Sequence, residues 1–253
     1  MLSIDLNCDL GEGGGADAVL MPLITSANIA CGAHAGDEAT MRETLRLARL
    51  HGVGAGAHPG HEDPAHFGRR ELPVTPAAAA ELVRRQTAQL RLLAAEEGVV
   101  LSHVKLHGAL YNQVSRDPAL AAEVVRVLAH AFPGLPLIAL AGSVLEETAR
   151  RFLGAPVRAE GFADRAYERG GSLRARSLPG ALLPDAAAAE RQVLDIVRAG
   201  RVRTWDGGET SLRVDTICLH GDGADPVGFA RRLRSALAAA GVRVQGFPAP
   251  SVR

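Results

Sequence analysis

"DEATMRETLRLARLHGVGAGAH", residues 37–58, contains one full unit of the pattern that builds this chain. Its first part, 37–51, has helical spacing, begins on a good N-cap (Asp37) and meets Gly52. Its second part, "GVGAGAH" (52–58), is a short β-rich run that ends in a histidine. Other runs of that kind are "SIDLNC" (3–8), "ANIACGAH" (27–34), "SHVKLH" (102–107), "LPLIAL" (135–140), "VRAEGF" (157–162) and "DTICLH" (215–220). A weaker one is "VRVQGF" (242–247). Helical segments fall at 37–51, 76–97, 117–131, 143–153, 185–199 and 225–240. Thr75, Asp117, Asp185 and Asp225 cap further starts, and Gly98, Gly154, Gly200 and Gly241 mark further ends. Alternating β and α units require parallel strands joined by right-handed crossovers. Seven strands, or eight with the last run, suit a distorted TIM-like (β/α) barrel better than an open sheet. One domain over 1–253 is expected, with 163–183 and 205–210 as excursions from it.

The totals exclude several classes. The 253 residues carry no net charge, and no basic stretch suggests nucleic acid. No apolar run is long enough for a membrane span, and "MLSIDLNCDL" has no basic leader. Cys8, Cys31 and Cys218 are too few for a disulfide framework and read as buried thiols in the cytoplasm. A homo-oligomer is left open.

Polar residues gather at the C-terminal ends of the runs, the end at which barrels of this type place catalysis. Asp5, Asn7 and Asp9 share one side of the first strand, and Lys105 and His107 share one side of the fourth. His34, His58, His107 and His220 each end a run and precede a small residue. Glu160, Asp164 and Arg165 follow the sixth run, and Asp222 the seventh. Lys105 is the single lysine among 28 basic residues. The three asparagines (Asn7, Asn28, Asn112) and two tyrosines (Tyr111, Tyr167) also lie in or beside these segments. A lysine is a compact charge whose pKa burial can move, whereas arginine is a wide permanent fork. One use is a point donor aimed at a developing oxyanion or phosphate; the bland reading is a scaffold pair with Asp5 or Asp9. Asp9, Glu160 and Asp164 are the acid–base candidates. Glu12 stands equally well over the rim or in solvent. His51 and His130 read as helix-end caps, and His61, His66 and His103 are unassigned. The chain has no Walker-type loop, no GxGxxG in a Rossmann context, no HExxH and no GxSxG.

"DLNCDLGEG" (5–13), "SANIACGAHAGD" (26–37), "GAHPG" (56–60) with "FGRR" (67–70), "VKLHGALYN" (104–112), "EGFADRAYERGGSL" (160–173) and "CLHGD" (218–222) resemble the LamB/YcsF family, the A subunits of 5-oxoprolinases. The motifs occur in family order and span nearly the whole chain. Leu106 stands where the family usually has proline, Ala33 where it usually has an aromatic, and "HPGHED" replaces a Ser/Tyr-containing loop.

The resemblance implies a barrel of the glycoside hydrolase/deacetylase kind. It implies ATP-dependent opening of the lactam 5-oxoproline to L-glutamate, together with partner subunits B and C. On that basis Lys105 would neutralise an oxyanion or phosphate, and Asp9 or Glu160 would activate water. His34, His58, His107 and His220 would carry protons or orient groups. Arg165 would clamp the ring carboxylate, and Asn7, Asn28, Asn112, Tyr111 and Asp164 would line the substrate site. A rival expectation is a metal-dependent deacetylase or amidohydrolase that needs no ATP, with a divalent ion on Asp9, His34, His58 and His107. A second rival is a binding subunit whose rim only holds substrate.

Overall fold

The computed structural model describes residues 1–220 and 225–247, without the side chain of His220. Asp222 and the His220 side chain therefore lie outside the described residues.

Seven parallel strands close into a barrel. They are β1 (Ser3–Leu10), β2 (Ser26–Ala30), β3 (Gly54–His58), β4 (His103–Lys105), β5 (Leu137–Leu140), β6 (Val157–Phe162) and, after a two-stranded excursion, β9 (Thr216–His220). Neighbours pair in that order, and β1 pairs with β9 to shut the ring, with Asp5 opposite Thr216. The excursion is the antiparallel hairpin β7 (Arg201–Arg203) and β8 (Glu209–Ser211). The weak last run supplies β10 (Arg243–Val244), which pairs with the base of β1, Ser3 opposite Arg243. It extends the edge below β9 and does not enter the ring.

The helices are α1 (Asp17–Leu20), α2 (Glu38–His51), α3 (Pro76–Glu96), α4 (Gly108–Arg116), α5 (Pro118–Ala131), α6 (Val144–Phe152), α7 (Ala186–Ala199) and α8 (Pro226–Ala239). Their boundaries follow local chemistry. Asp37 accepts a hydrogen bond from the Thr40 amide at 2.8 Å, and Gly52 ends α2 in the left-handed conformation that spares it a Cβ clash. Two helices depart from the sequence reading. The single turn α1 is too short to show a period. α4 starts directly after Lys105–His107, at residues 108–116, to which the sequence reading gives no element.

Strand alternation divides the molecule. Leu6, Cys8 and Leu10 point outward and pack with Ile29, Leu45, Val83 and Leu90 into the hydrophobic layer under the helices. Asp5, Asn7 and Asp9 point inward, and all three are buried. Barrels of this type usually fill their interior with branched apolar side chains. This one fills it with hydrogen-bonded polar groups stacked along the axis.

Candidate active site

The lowest layer centres on Asp5. Thr25 and Ser26 donate to its Oδ1 at 2.7 Å each, and Thr216 donates to Oδ2. Burial still outweighs these bonds and raises its pKa. The next layer is a chain of single bonds. Asn7 donates to Thr216 Oγ1 at 2.7 Å, and Asn28 donates to Asn7 Oδ1 at 2.7 Å and Asp9 Oδ1 at 2.8 Å. His103 Nε2 lies 2.7 Å from Asn28 Oδ1, which can only accept, so that nitrogen carries the hydrogen. Its Nδ1 then accepts from Ser102 Oγ at 2.8 Å. Burial pushes His103 down to about 3, so the ring is neutral. A Cβ on Gly56 would sit 2.1 Å from His103 Nε2; only glycine leaves room for that ring.

Lys105 stands on this chain and is 1% exposed. Its ammonium lies 2.8 Å from Asp9 Oδ1, 2.9 Å from Glu160 Oε1 and 3.1 Å from Asn7 Oδ1. Cys218 Sγ is 3.1 Å away. Burial alone would lower the lysine pKa, but the attraction of Asp9 and its neighbours outweighs it, and the value ends well above that of an ordinary lysine. Glu160 is fully buried and is also held by Tyr111, whose hydroxyl donates to Oε2 at 2.7 Å. Burial, and then Glu160, push that phenol pKa well up, so Tyr111 remains a donor.

Four further groups crown the stack. His34 and His107 are stacked face to face, 3.7 Å between centroids, and His58 meets both edge-on. Glu12 Oε1 lies 3.2 Å from His34 Nε2 and 3.5 Å from His107 Nδ1. Asp9 Oδ2 lies 3.3 Å from His58 Nε2. Glu12, His34, His58 and His107 can each bring one ligand atom within 4.8 Å of the others, which makes them a cluster of metal-binding type. Burial lowers the pKa of His34 and, more strongly, of His107, where the neighbouring imidazoles add to the effect. Gly60 and Gly68 bring the loop after β3 against these rings; a Cβ at Gly68 would lie 2.8 Å from His34 Cβ.

A cavity of about 320 Å³ opens above. Asp9, His58, Lys105 and His107 reach its floor. Tyr111 and Asn112 from α4 line it, as do Phe162, Arg165 and Arg176 after β6 and Arg69 after β3. Asp164 is half-buried beside Arg165 but is not among the lining residues. Arg165 donates through Nε to Ala181 O at 3.4 Å and through Nη2 to Arg174 O at 2.6 Å. Burial, with Arg176 nearby, lowers it to about 10.

The structure thus brings Asp9, His34, His58, Lys105, His107 and Glu160 to one end of the barrel, with Asn7 and Asn28 one layer below. The sequence leaves Glu12 undecided and His103 unassigned. Cys218 is the buried thiol expected, and it faces Lys105 from the inward side of β9. His61 is buried on Gln113 at 2.6 Å, and His66 bonds to Asp63, both outside the cluster.

The LamB/YcsF family model matches residues 4–252. A protein of Chloroflexus aggregans, named as the A subunit of 5-oxoprolinase, is 49% identical over 97% of this chain and 99% of its own length. One of Bordetella pertussis with the same name is 46% identical over 96% of this chain and 98% of its own length. A solved structure, the lactam utilization protein from Thermus thermophilus, is 43% identical, covers 97% of this chain and 100% of its own, and superposes with a TM-score of 0.88. Sequence, fold and the polar barrel end agree: this chain belongs to the LamB/YcsF family.

Proposed function

We propose that the chain is the A subunit of an ATP-dependent 5-oxoprolinase that acts with partner subunits B and C and opens the lactam of 5-oxoproline to L-glutamate. One observation carries this reading. A buried ammonium, Lys105, is fixed on three oxygens at the floor of a cavity whose wall bears Arg69, Arg165 and Arg176. That end suits a small anionic ring whose carbonyl oxygen gains charge as it reacts. The names of the relatives point to the same substrate and to a multisubunit enzyme.

A lactam is a poor electrophile and recloses readily. Phosphoryl transfer from ATP to the amide oxygen activates the carbon; the chain has no Walker-type loop, and this reading assigns that transfer to the assembled complex. Water then adds to the carbon, the carbon–nitrogen bond breaks and the nitrogen takes up a proton. A second water splits the resulting acyl phosphate into the carboxylate and inorganic phosphate. Lys105 stabilises the charged oxygen. Asp9 reaches the cavity, whereas Glu160 is sealed behind Lys105, so Asp9 takes the water proton and Glu160 holds the ammonium in place. His58, 3.3 Å from Asp9 Oδ2, and His107, 2.9 Å from His58, orient that carboxylate. Arg165 holds the ring carboxylate through Nη1, because a grip by Nε and Nη2 would break its two bonds to backbone oxygens. The three free, buried cysteines suit the cytoplasm.

The deciding assay is glutamate release from 5-oxoproline, with and without ATP, for the chain alone and with its two partners. Release that needs ATP and all three subunits supports the reading. Near-normal turnover by Lys105→Arg in the complex removes the role given to the point charge. The histidine cluster favours one rival, a metal-dependent amidohydrolase or deacetylase, in which a bound ion would supply Lewis acidity. ATP-independent amide hydrolysis by the chain alone, abolished by chelator, would replace the oxoprolinase reading.

A further inference from the structure

Hydrogen-bond direction at the two central histidines fixes their tautomers. His58 Nδ1 lies 2.8 Å from the Lys105 carbonyl oxygen. A carbonyl only accepts, so Nδ1 carries the hydrogen, and Nε2 is the nitrogen left to bind a cation, proton or metal. His107 Nε2 lies 2.9 Å from the Phe67 carbonyl oxygen, so by the same logic His107 Nδ1 is the nitrogen left on that ring. These two nitrogens face one another across 2.9 Å. The atoms around them are also acceptors: Asp9 Oδ2 is 3.3 Å from the first, and Glu12 Oε1 is 3.5 Å from the second. Four electron-rich atoms converging in a buried place call for a cation among them. A ring whose far N–H is tied to a backbone carbonyl is also how metal-binding histidines are commonly oriented.

We propose that His58 Nε2, His107 Nδ1, Glu12 and Asp9 Oδ2 form a binding site for one divalent transition-metal ion. Two imidazoles favour a zinc-like or later first-row ion over magnesium or calcium, which prefer all-oxygen shells. Bonds of about 2.0–2.1 Å in a tetrahedral shell set the two nitrogens roughly 3.3 Å apart, so the rings need to part by only a few tenths of an ångström. His34 is excluded as a ligand on geometry. It lies parallel to His107, 6° between planes, so its lone pairs run alongside those of His107 and do not converge with them. It acts on the site through Glu12, 3.2 Å from its Nε2, and steadies that carboxylate. The ligand set therefore differs from the one expected from sequence by Glu12 in place of His34. Asp9 is shared: Oδ1 holds Lys105 and Asn28, while Oδ2 faces the ion site. Ion binding here stands whether or not the oxoprolinase reading holds; in the ion-loaded chain Asp9 Oδ2 is a ligand, so the proton-accepting role given to Asp9 belongs to the ion-free chain.

The test uses the full chain, purified without chelator, with metal content read by mass spectrometry and affinity by titration of zinc and cobalt(II) into stripped protein. The expected result is about one ion per chain, with the visible spectrum of cobalt in a low-symmetry nitrogen–oxygen shell. His107→Gln and Glu12→Gln abolish stoichiometric binding; His34→Gln weakens it roughly 10–100-fold; His66→Gln, outside the cluster, leaves it unchanged. Far-UV circular dichroism checks that each variant folds. Failure of the wild-type chain to bind either ion stoichiometrically overturns the proposal without recourse to any variant. So does nitrogen NMR that finds one proton shared between His58 and His107 and unmoved by added metal. Equal loss of affinity in His66→Gln and His107→Gln would also overturn it.

Discussion

On the inner side of β1, Asp5, Asn7 and Asp9 are each bonded to another polar group, and the chain of bonds runs through Asn28 and Asp9 to Lys105, with His103 branching from Asn28. On the outer side of the same strand, Leu6, Cys8 and Leu10 join the apolar layer under the ring of helices, whose exposed faces carry Arg–Glu pairs such as Arg126–Glu123 and Arg84–Glu81. The two sides do different work. Apolar burial supplies most of the folding free energy, at about 1.5–3 kcal/mol for each large aliphatic side chain. A buried ion pair gives little net stability over an apolar substitute, but losing one partner is costly. The interior is therefore arranged to hold Lys105 and Asp9 in place, and the shell to keep the barrel folded.

That division can be broken at its most exposed point. Lys105→Met leaves Asp9 and Glu160 without their ammonium and is expected to cost about 3–5 kcal/mol in urea unfolding, together with all of the proposed oxoprolinase turnover. Unchanged stability would show that the interior charges do not depend on one another. A shell change sharpens the contrast. Leu45→Ala, fully buried under α2, is expected to cost about 3 kcal/mol while the folded fraction keeps its turnover. A third test uses protons. The unfolded chain protonates His103 near 6.5, whereas the buried ring resists until about 3. Unfolding therefore takes up a proton in that window: stability from this group is complete above pH 6.5 and falls as pH drops, by about 1.4 kcal/mol per pH unit at most. Unfolding midpoints measured from pH 7.5 to 4 should fall less steeply in His103→Gln. The smallest effect belongs to the surface. Arg126→Ala removes an exposed i,i+3 pair and should leave the melting temperature and turnover within error, as isolated surface pairs generally do.

The barrel was legible because side-chain caps start every long helix and glycines follow all of them but α5, and Asp37 with Gly52 behaves as local chemistry requires. The site was legible where period-two alternation applies, as for Asp5, Asn7 and Asp9, or Lys105 and His107. It was illegible where position depends on loops. Glu12 sits in a glycine-rich turn with no period, and only the fold brings it to His34, 22 residues away. His103 looked like any strand histidine because its place depends on Gly56, across the sheet on β3, having no side chain. α4 was hidden because its first residues continue the motif that closes β4.

Ring closure by β1 and β9 also dictates an order of events. Asp5 and Thr216 are 211 positions apart, so β1, made before the other barrel strands, waits with one edge unpaired until β9, the last strand of the ring, has been made. Such long-range pairing is slow, and a bare strand edge invites pairing with other chains. Inward-pointing charges are one way to blunt an edge of this kind. Asp5 and Asp9 lie on that strand, so two carboxylates that build the barrel interior also guard the nascent chain before there is a barrel to occupy.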